Sequence, residues 1–141
     1  MEKNIIENKL LSLVTLLEKL KAILKEHDTN KNTNLKEFLL YGAQKKAEEI
    51  VELAISINQE LLRSKEMLSR SYYHSFIDLE KFNAFSSEDL RFLAGTAGFR
   101  NRLAHEYLEV DPTIALRTMK QMMAIYPKYT ETILKIIKKK K

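Results

Sequence analysis

Residues 100–107 read Arg-Asn-Arg-Leu-Ala-His-Glu-Tyr. Arg100 and Arg102 are cations at any physiological pH, and their planar forks match phosphate oxygens. His105 carries an imidazole, a group that titrates near pH ~6.5 and so can give or take a proton at neutrality. This is a set of groups for cutting RNA without a metal. That reaction needs a base for the ribose 2′-OH, a cation for the charge building on phosphorus, and an acid for the leaving 5′-oxygen. His105 can serve as base or acid. Asn101 lies four residues before His105, so on a continuous helix the two share a face, and its amide can orient the imidazole or a phosphate oxygen. The same residues also suit a plain helix end, because cations favour the negative end of a helix dipole.

Spacing sets a geometric problem. Arg100 and His105 are five apart, about 140° around an ideal helix, and would not converge on it. Three arrangements solve this. The helix ends before His105, the Arg100 side chain wraps back, or the productive pair forms across a dimer. Arg102, three residues from His105, is on the imidazole's face and competes for the cation role.

The elements that must position this run are helices. Only 3 Gly and 2 Pro stand in 141 residues, which favours few, long elements. In the first helix, about 3–25, Ile6, Leu10, Leu13, Leu17, Leu20 and Leu24 form one stripe at alternating spacings of four and three. A polar loop from His27 to Asn32 follows. The second helix starts at Asn34, with Glu37 completing a capping box, and reaches about Arg63. Its stripe is Leu40, Ala43, Ala47, Ile50, Ala54, Ile57 and Leu61, with small residues at Gly42, Ala43 and Ala47 for close helix approach. A short aromatic-rich helix is expected over 72–81. Ser86 or Ser87 caps a fourth helix whose Leu90, Leu93, Ala94, Ala97 and Leu103 face inward. Gly95 and Gly98 weaken that helix by about 1 kcal/mol each relative to Ala. Close packing against another backbone is the expected compensation. Asp111 caps the fifth helix, Pro112 takes its first position, and Pro127 should kink or interrupt it near Ile125. The fold expected is all-α: an antiparallel bundle of four to five helices in one domain, 1–141. One of the long apolar stripes is available as a dimer seam.

Composition narrows the chemistry. With no Cys there are no disulfides, no thiolate metal site and no cysteine nucleophile. His27, His74 and His105 are scattered without a helical pair, so no metal is expected. No Gly-rich phosphate loop is present, so no cofactor is expected either. Glu48, Glu49 and Glu52 read as a solvated helix face. The apolar stretch 10–24 is broken by Glu18, Lys19 and Lys21, which speaks against a membrane span. The start lacks the order of a signal peptide, and a cytoplasmic location is expected. The formal charge of +5 suits a polyanionic partner. The terminal basic run 138–141 reads as a solvated tail.

The run from Phe99 to Tyr107 resembles the signature of HEPN-domain proteins: an Arg, a polar residue after it, then a His after four to six residues. The Tyr two positions past the His resembles the HepT-like toxin branch. The stretch 37–43, Glu-Phe-Leu-Leu-Tyr-Gly-Ala, and the stretch 50–62 resemble that branch's second helix, and Asp111-Pro112 follows at a familiar distance. The likeness covers about 10–137, with segment 64–85 idiosyncratic. It implies a HEPN-like homodimer whose two motifs face one cleft. It further implies a metal-independent endoribonuclease acting as the toxin of a type VII-like toxin–antitoxin module. Its partners would be an RNA substrate and an MNT-type nucleotidyltransferase antitoxin that transfers AMP to Tyr107. In that reading Arg100 and His105 are catalytic, Asn101 and Arg102 support them, and Tyr107 is the modification site. The alternative is a non-catalytic helical subunit that holds a nucleotidyltransferase or presents its substrate.

Overall fold

A computed structural model of the chain describes residues 3–105 and 110–139. Five α-helices and one 3₁₀ segment account for the regular structure among these residues. They are α1 (Lys3–Thr29), α2 (Thr33–Arg63), α3 (Tyr72–Ile77), the 3₁₀ segment Asp78–Phe82, α4 (Ser87–Ala104) and α5 (Pro112–Lys139). None of the helices is long and apolar enough to cross a membrane.

Cross-links between side chains give the directions. Lys9 Nζ donates to Ser56 Oγ at 2.6 Å, and Lys36 Nζ to the His27 carbonyl at 2.7 Å, so α1 and α2 are antiparallel. Lys120 pairs with Asp28 at 3.2 Å, and Leu134 shares a groove with Leu11 and Val14, so α5 runs against α1. Arg100 meets Glu52, and Lys128 meets Asp89 at 3.2 Å, so α4 runs against both α2 and α5. The end of α4 therefore lies at the end of the bundle where α5 begins.

The predicted stripes of α1, α2 and α4 form the core together with one face of α5. Ile6, Leu13, Leu20, Ile50, Ile57, Leu61, Leu93, Met119 and Ile133 are all fully buried. Each such aliphatic side chain contributes roughly 1.5–3 kcal/mol on burial. A polar seam crosses this core. The Tyr129 hydroxyl lies 2.5 Å from Asn58 Oδ1 and 3.1 Å from the Ala54 carbonyl; Asn58 Nδ2 donates to Ser75 Oγ, and Ser75 donates to the Tyr72 carbonyl. Tyr126 and Thr96 share a buried hydroxyl pair at 2.8 Å. Burial pushes both tyrosine phenols well above their ordinary range, so they stay neutral hydrogen-bonding groups. Tyr129→Phe should therefore cost about 1–3 kcal/mol, because Asn58 Oδ1 is left buried without its donor. Urea denaturation of the variant checks this.

Several expectations shift. Helix α1 continues four residues past Lys25, and His27 is on it, buried, rather than in a loop. It sits three residues beyond Leu24, so its ring extends the apolar stripe. The cap of α2 is Asn32, not Asn34: its Oδ1 accepts from the Asn34 and Leu35 amides at 3.0 and 3.1 Å. The aromatic helix stays α-helical only to Ile77 and tightens into the 3₁₀ segment, closed by Asn83 in the left-handed region at φ 52°. Helix α5 is not interrupted at Pro127. Buried Tyr126 and Tyr129 hold that turn against the core, and Thr130 Oγ1 bonds the Pro127 carbonyl at 2.8 Å. Ser86 caps α4 through the Asp89 amide, and Asp111 caps α5 through the Thr113 and Ile114 amides, as the sequence suggests.

Gly95 and Gly98 depart most. Both are exposed, and an added Cβ at either would meet nothing within 4 Å. No backbone packs on them. Together with Arg91, Arg102, Ile114 and Thr118 they line an open groove of about 470 Å³ between α4 and α5. Gly95→Ala should accordingly raise stability by up to about 1 kcal/mol, read as a higher midpoint in thermal melting.

Candidate active site at the end of helix four

The C-terminal turns of α4 carry the motif, and the structure divides its residues. Helix α4 ends at Ala104, and His105 is the C-cap with extended backbone (φ −101°, ψ 103°) and an exposed side chain. The helix thus stops before the imidazole, as the first of the three arrangements requires.

Arg100 is held from outside its own helix. Its Nη2 and Nε donate to Glu52 Oε1 at 2.8 and 3.2 Å, and Nη1 reaches Asn101 Oδ1 at 3.4 Å. A guanidinium has five N–H donors. Three are used here, and the remaining pair, on Nη1 and Nη2, have no hydrogen-bond partner among the described residues. The pair is only partly sheltered, with side-chain exposures of 24% for Arg100 and 45% for Glu52. An ion pair this exposed contributes little to stability, about 0–1 kcal/mol. What it fixes is the direction of a long side chain. Just before Arg100, buried Phe99 and Ala97 root the helix in the core.

Asn101 and Arg102 are both exposed. Asn101 touches Arg100, and Arg102 lies on the wall of the glycine-floored groove. Tyr107 falls outside the described residues. Glu52 is the member that sequence reading passes over. By spacing it belongs with Glu48 and Glu49, which pair locally with Lys45 and Lys46 at 3.7 and 3.1 Å. Glu52 instead reaches a partner 48 positions away. Nothing local in the sequence marks that difference. Among the described residues no three His, Cys, Asp or Glu side chains gather as a metal site. Elsewhere, His74 Nδ1 bonds Ser71 Oγ at 2.8 Å, and buried His27 faces Asp28 at 3.7 Å.

The chain and its fold are similar to known proteins. The family model for "Ribonuclease HepT-like" proteins matches residues 13–136. The curated tRNA nuclease HepT of Aphanizomenon flos-aquae (strain 2012/KM1/D3) is 35% identical over 86 residues. That match spans 60% of this chain and 58% of the relative's length. Among solved structures, the fold resembles the tri-AMPylated HEPN toxin of Shewanella oneidensis in complex with MNT antitoxin. The TM-score is 0.75 at 18% identity, over 92% of this chain and 96% of the other. A second structure, of a toxin–antitoxin with AMP-PNP, gives a TM-score of 0.73 at 16% identity over 92% and 97% of the two chains. At such identities the likeness is one of fold.

Proposed function

Because the chain belongs to the ribonuclease HepT-like family, we propose that it is the toxin of a type VII-like toxin–antitoxin module, a metal-independent endoribonuclease. The observation that carries this reading is the Arg100 guanidinium, pinned by Glu52 with two donors unpartnered among the described residues, five residues before an exposed His105. In the reaction, the 2′-oxygen attacks the adjacent phosphorus, forming the P–O2′ bond and breaking the P–O5′ bond. The products are a 2′,3′-cyclic phosphate and a free 5′-hydroxyl. His105 moves one of the two protons, taking that of the 2′-OH or supplying that of the departing 5′-oxygen, and water accepts or supplies the other. The two remaining Arg100 donors meet the oxygens on which charge accumulates. Asn101 steadies Arg100, and Arg102 contacts a flanking phosphate along its groove. The test is cleavage of RNA by purified protein in EDTA, with the new ends assayed for cyclic phosphate. Cleavage that stops in EDTA and returns with magnesium would overturn the metal-independent mechanism.

The site is shared in a homodimer in this reading. Phe38 (72% exposed) and Tyr41 (63%) are large aromatics open to solvent. Tyr41, Lys45 and Glu52 follow at spacings of four and seven, so this face of α2 runs toward Arg100. Covering it with a second copy would shelter the site. Silencing is assigned to a nucleotidyltransferase antitoxin of the MNT type. The Tyr107 oxygen would attack the α-phosphorus of ATP, forming Tyr107-AMP and releasing pyrophosphate. A tri-AMPylated toxin among the fold neighbours supports this chemistry.

Glu52 is a positioning residue under this mechanism. Glu52→Gln should lower kcat by about 3- to 10-fold with little change in KM, since it frees Arg100 without removing it. The melting temperature should hardly move, as expected for an exposed pair. A fall in KM affinity alone, with kcat intact, would remove Glu52 from the mechanism.

A further inference from the structure

A second basic site lies at the opposite end of the bundle from the motif. Lys65, Lys81, Lys135 and Lys139 surround one cavity of about 420 Å³, with Phe82, Asn83 and Thr132 among its other lining residues. The four lysines come from three parts of the fold: the turn after α2, the 3₁₀ segment and the last turns of α5. Elsewhere four lysines are ion-paired, Lys45 with Glu48, Lys46 with Glu49, Lys120 with Asp28 and Lys128 with Asp89, while others, such as Lys19, Lys21 and Lys25, lie singly along the α1 surface. Among the described residues, none of the four cavity lysines has an ion pair and no carboxylate lines the cavity. Lys135 and Lys139 are four apart on one helix, a like-charge spacing that is unfavourable by about 0.2–0.5 kcal/mol. Lys65 Nζ sits 5.0 Å from the Phe82 ring centre, so an aromatic face is part of the same basic pocket. Lys139 belongs to the terminal basic run, yet it is helical and faces the cavity rather than trailing as a tail.

We propose that this pocket is an exosite for the RNA substrate, holding backbone phosphates remote from the cleaved bond. The inference rests on the ribonuclease reading above. Four cations gathered around one concavity match a polyanion, and an aromatic surface among lysines suits nucleotides. The cavity volume is that of a nucleotide-sized site, whereas an acidic protein helix would need a longer, flatter surface. Thr118, beside Arg102, and Lys135 are 17 residues apart on α5. At 1.5 Å per residue that separates exosite and motif by about 26 Å. A dinucleotide cannot bridge them, and a folded RNA can.

The test uses the quadruple variant Lys65→Gln, Lys81→Gln, Lys135→Gln, Lys139→Gln, and the milder pair Lys135→Gln, Lys139→Gln. Binding of a tRNA-sized RNA is measured by anisotropy on His105→Ala protein, with and without the lysine changes. The quadruple variant should bind about 10- to 100-fold more weakly, and its log–log salt slope should shrink by roughly 0.7–0.9 per lost phosphate contact. The pair should show about half that loss of slope. In His105-intact protein, cleavage of a dinucleotide should be unchanged by the quadruple variant, while cleavage of the long RNA falls. Unchanged RNA affinity and salt slope would overturn the exosite. If wild-type protein cuts no RNA while the lysine variants still lose binding, the cleavage reading fails and the exosite stands.

Discussion

His105→Ala should lower RNA cleavage by at least about 100-fold, the usual minimum for removing a positioned acid or base. The fold should not register the change, because His105 is exposed and already outside the hydrogen-bonded turns of α4. Far-UV circular dichroism and thermal melting serve as the control. His74→Ala is the matched comparison: its imidazole bonds Ser71 beside an aromatic patch, on a different element from the motif, and cleavage should persist. Cleavage by His105→Ala at the wild-type rate would remove the imidazole from the reaction. It would leave the non-catalytic partner of a nucleotidyltransferase as the better reading.

Arg100→Ala should cost about 100- to 1,000-fold in kcat, as expected for one donor aimed at developing charge. The informative variant is Arg100→Lys. Lysine keeps the charge but offers a compact ammonium in place of a planar fork. It cannot hold Glu52 through two separate nitrogens and still present a pair of donors to phosphate. Arg100→Lys should therefore resemble Arg100→Ala within about 10-fold, despite unchanged net charge. Near-complete rescue by lysine would mean that only charge matters, and that the Glu52 contact is incidental. Arg102→Ala, changing an exposed groove wall, should act mainly on KM.

The sequence made the helical stripes legible because apolar residues at spacings of three and four have few other uses. Asp111-Pro112 and Ser86 were equally plain, since each cap has a local chemical reason. His27 has a polar side chain, which reads as loop, but its position three past Leu24 puts it on the apolar stripe. Gly95 and Gly98 suggest a neighbouring backbone, whereas they line a groove instead. Glu52 could not be found by pattern. Its role depends on how α2 and α4 pack, and that packing joins residues far apart in the chain.

One consequence follows from α4 ending where it does. His105 is the cap that ends α4, and Asp111 the cap that opens α5. Tyr107 is two residues from His105, at most about 7 Å between Cα atoms. An AMP group bonded there would be an intramolecular ligand of the site, present at an effective concentration set by the tether alone. Its block would not be diluted away, would not depend on how tightly AMP binds in solution, and would outlast the departure of the enzyme that installed it. In mass spectrometry such a silenced chain should be heavier by about 329 Da per AMP. Its inactivity should be independent of protein concentration.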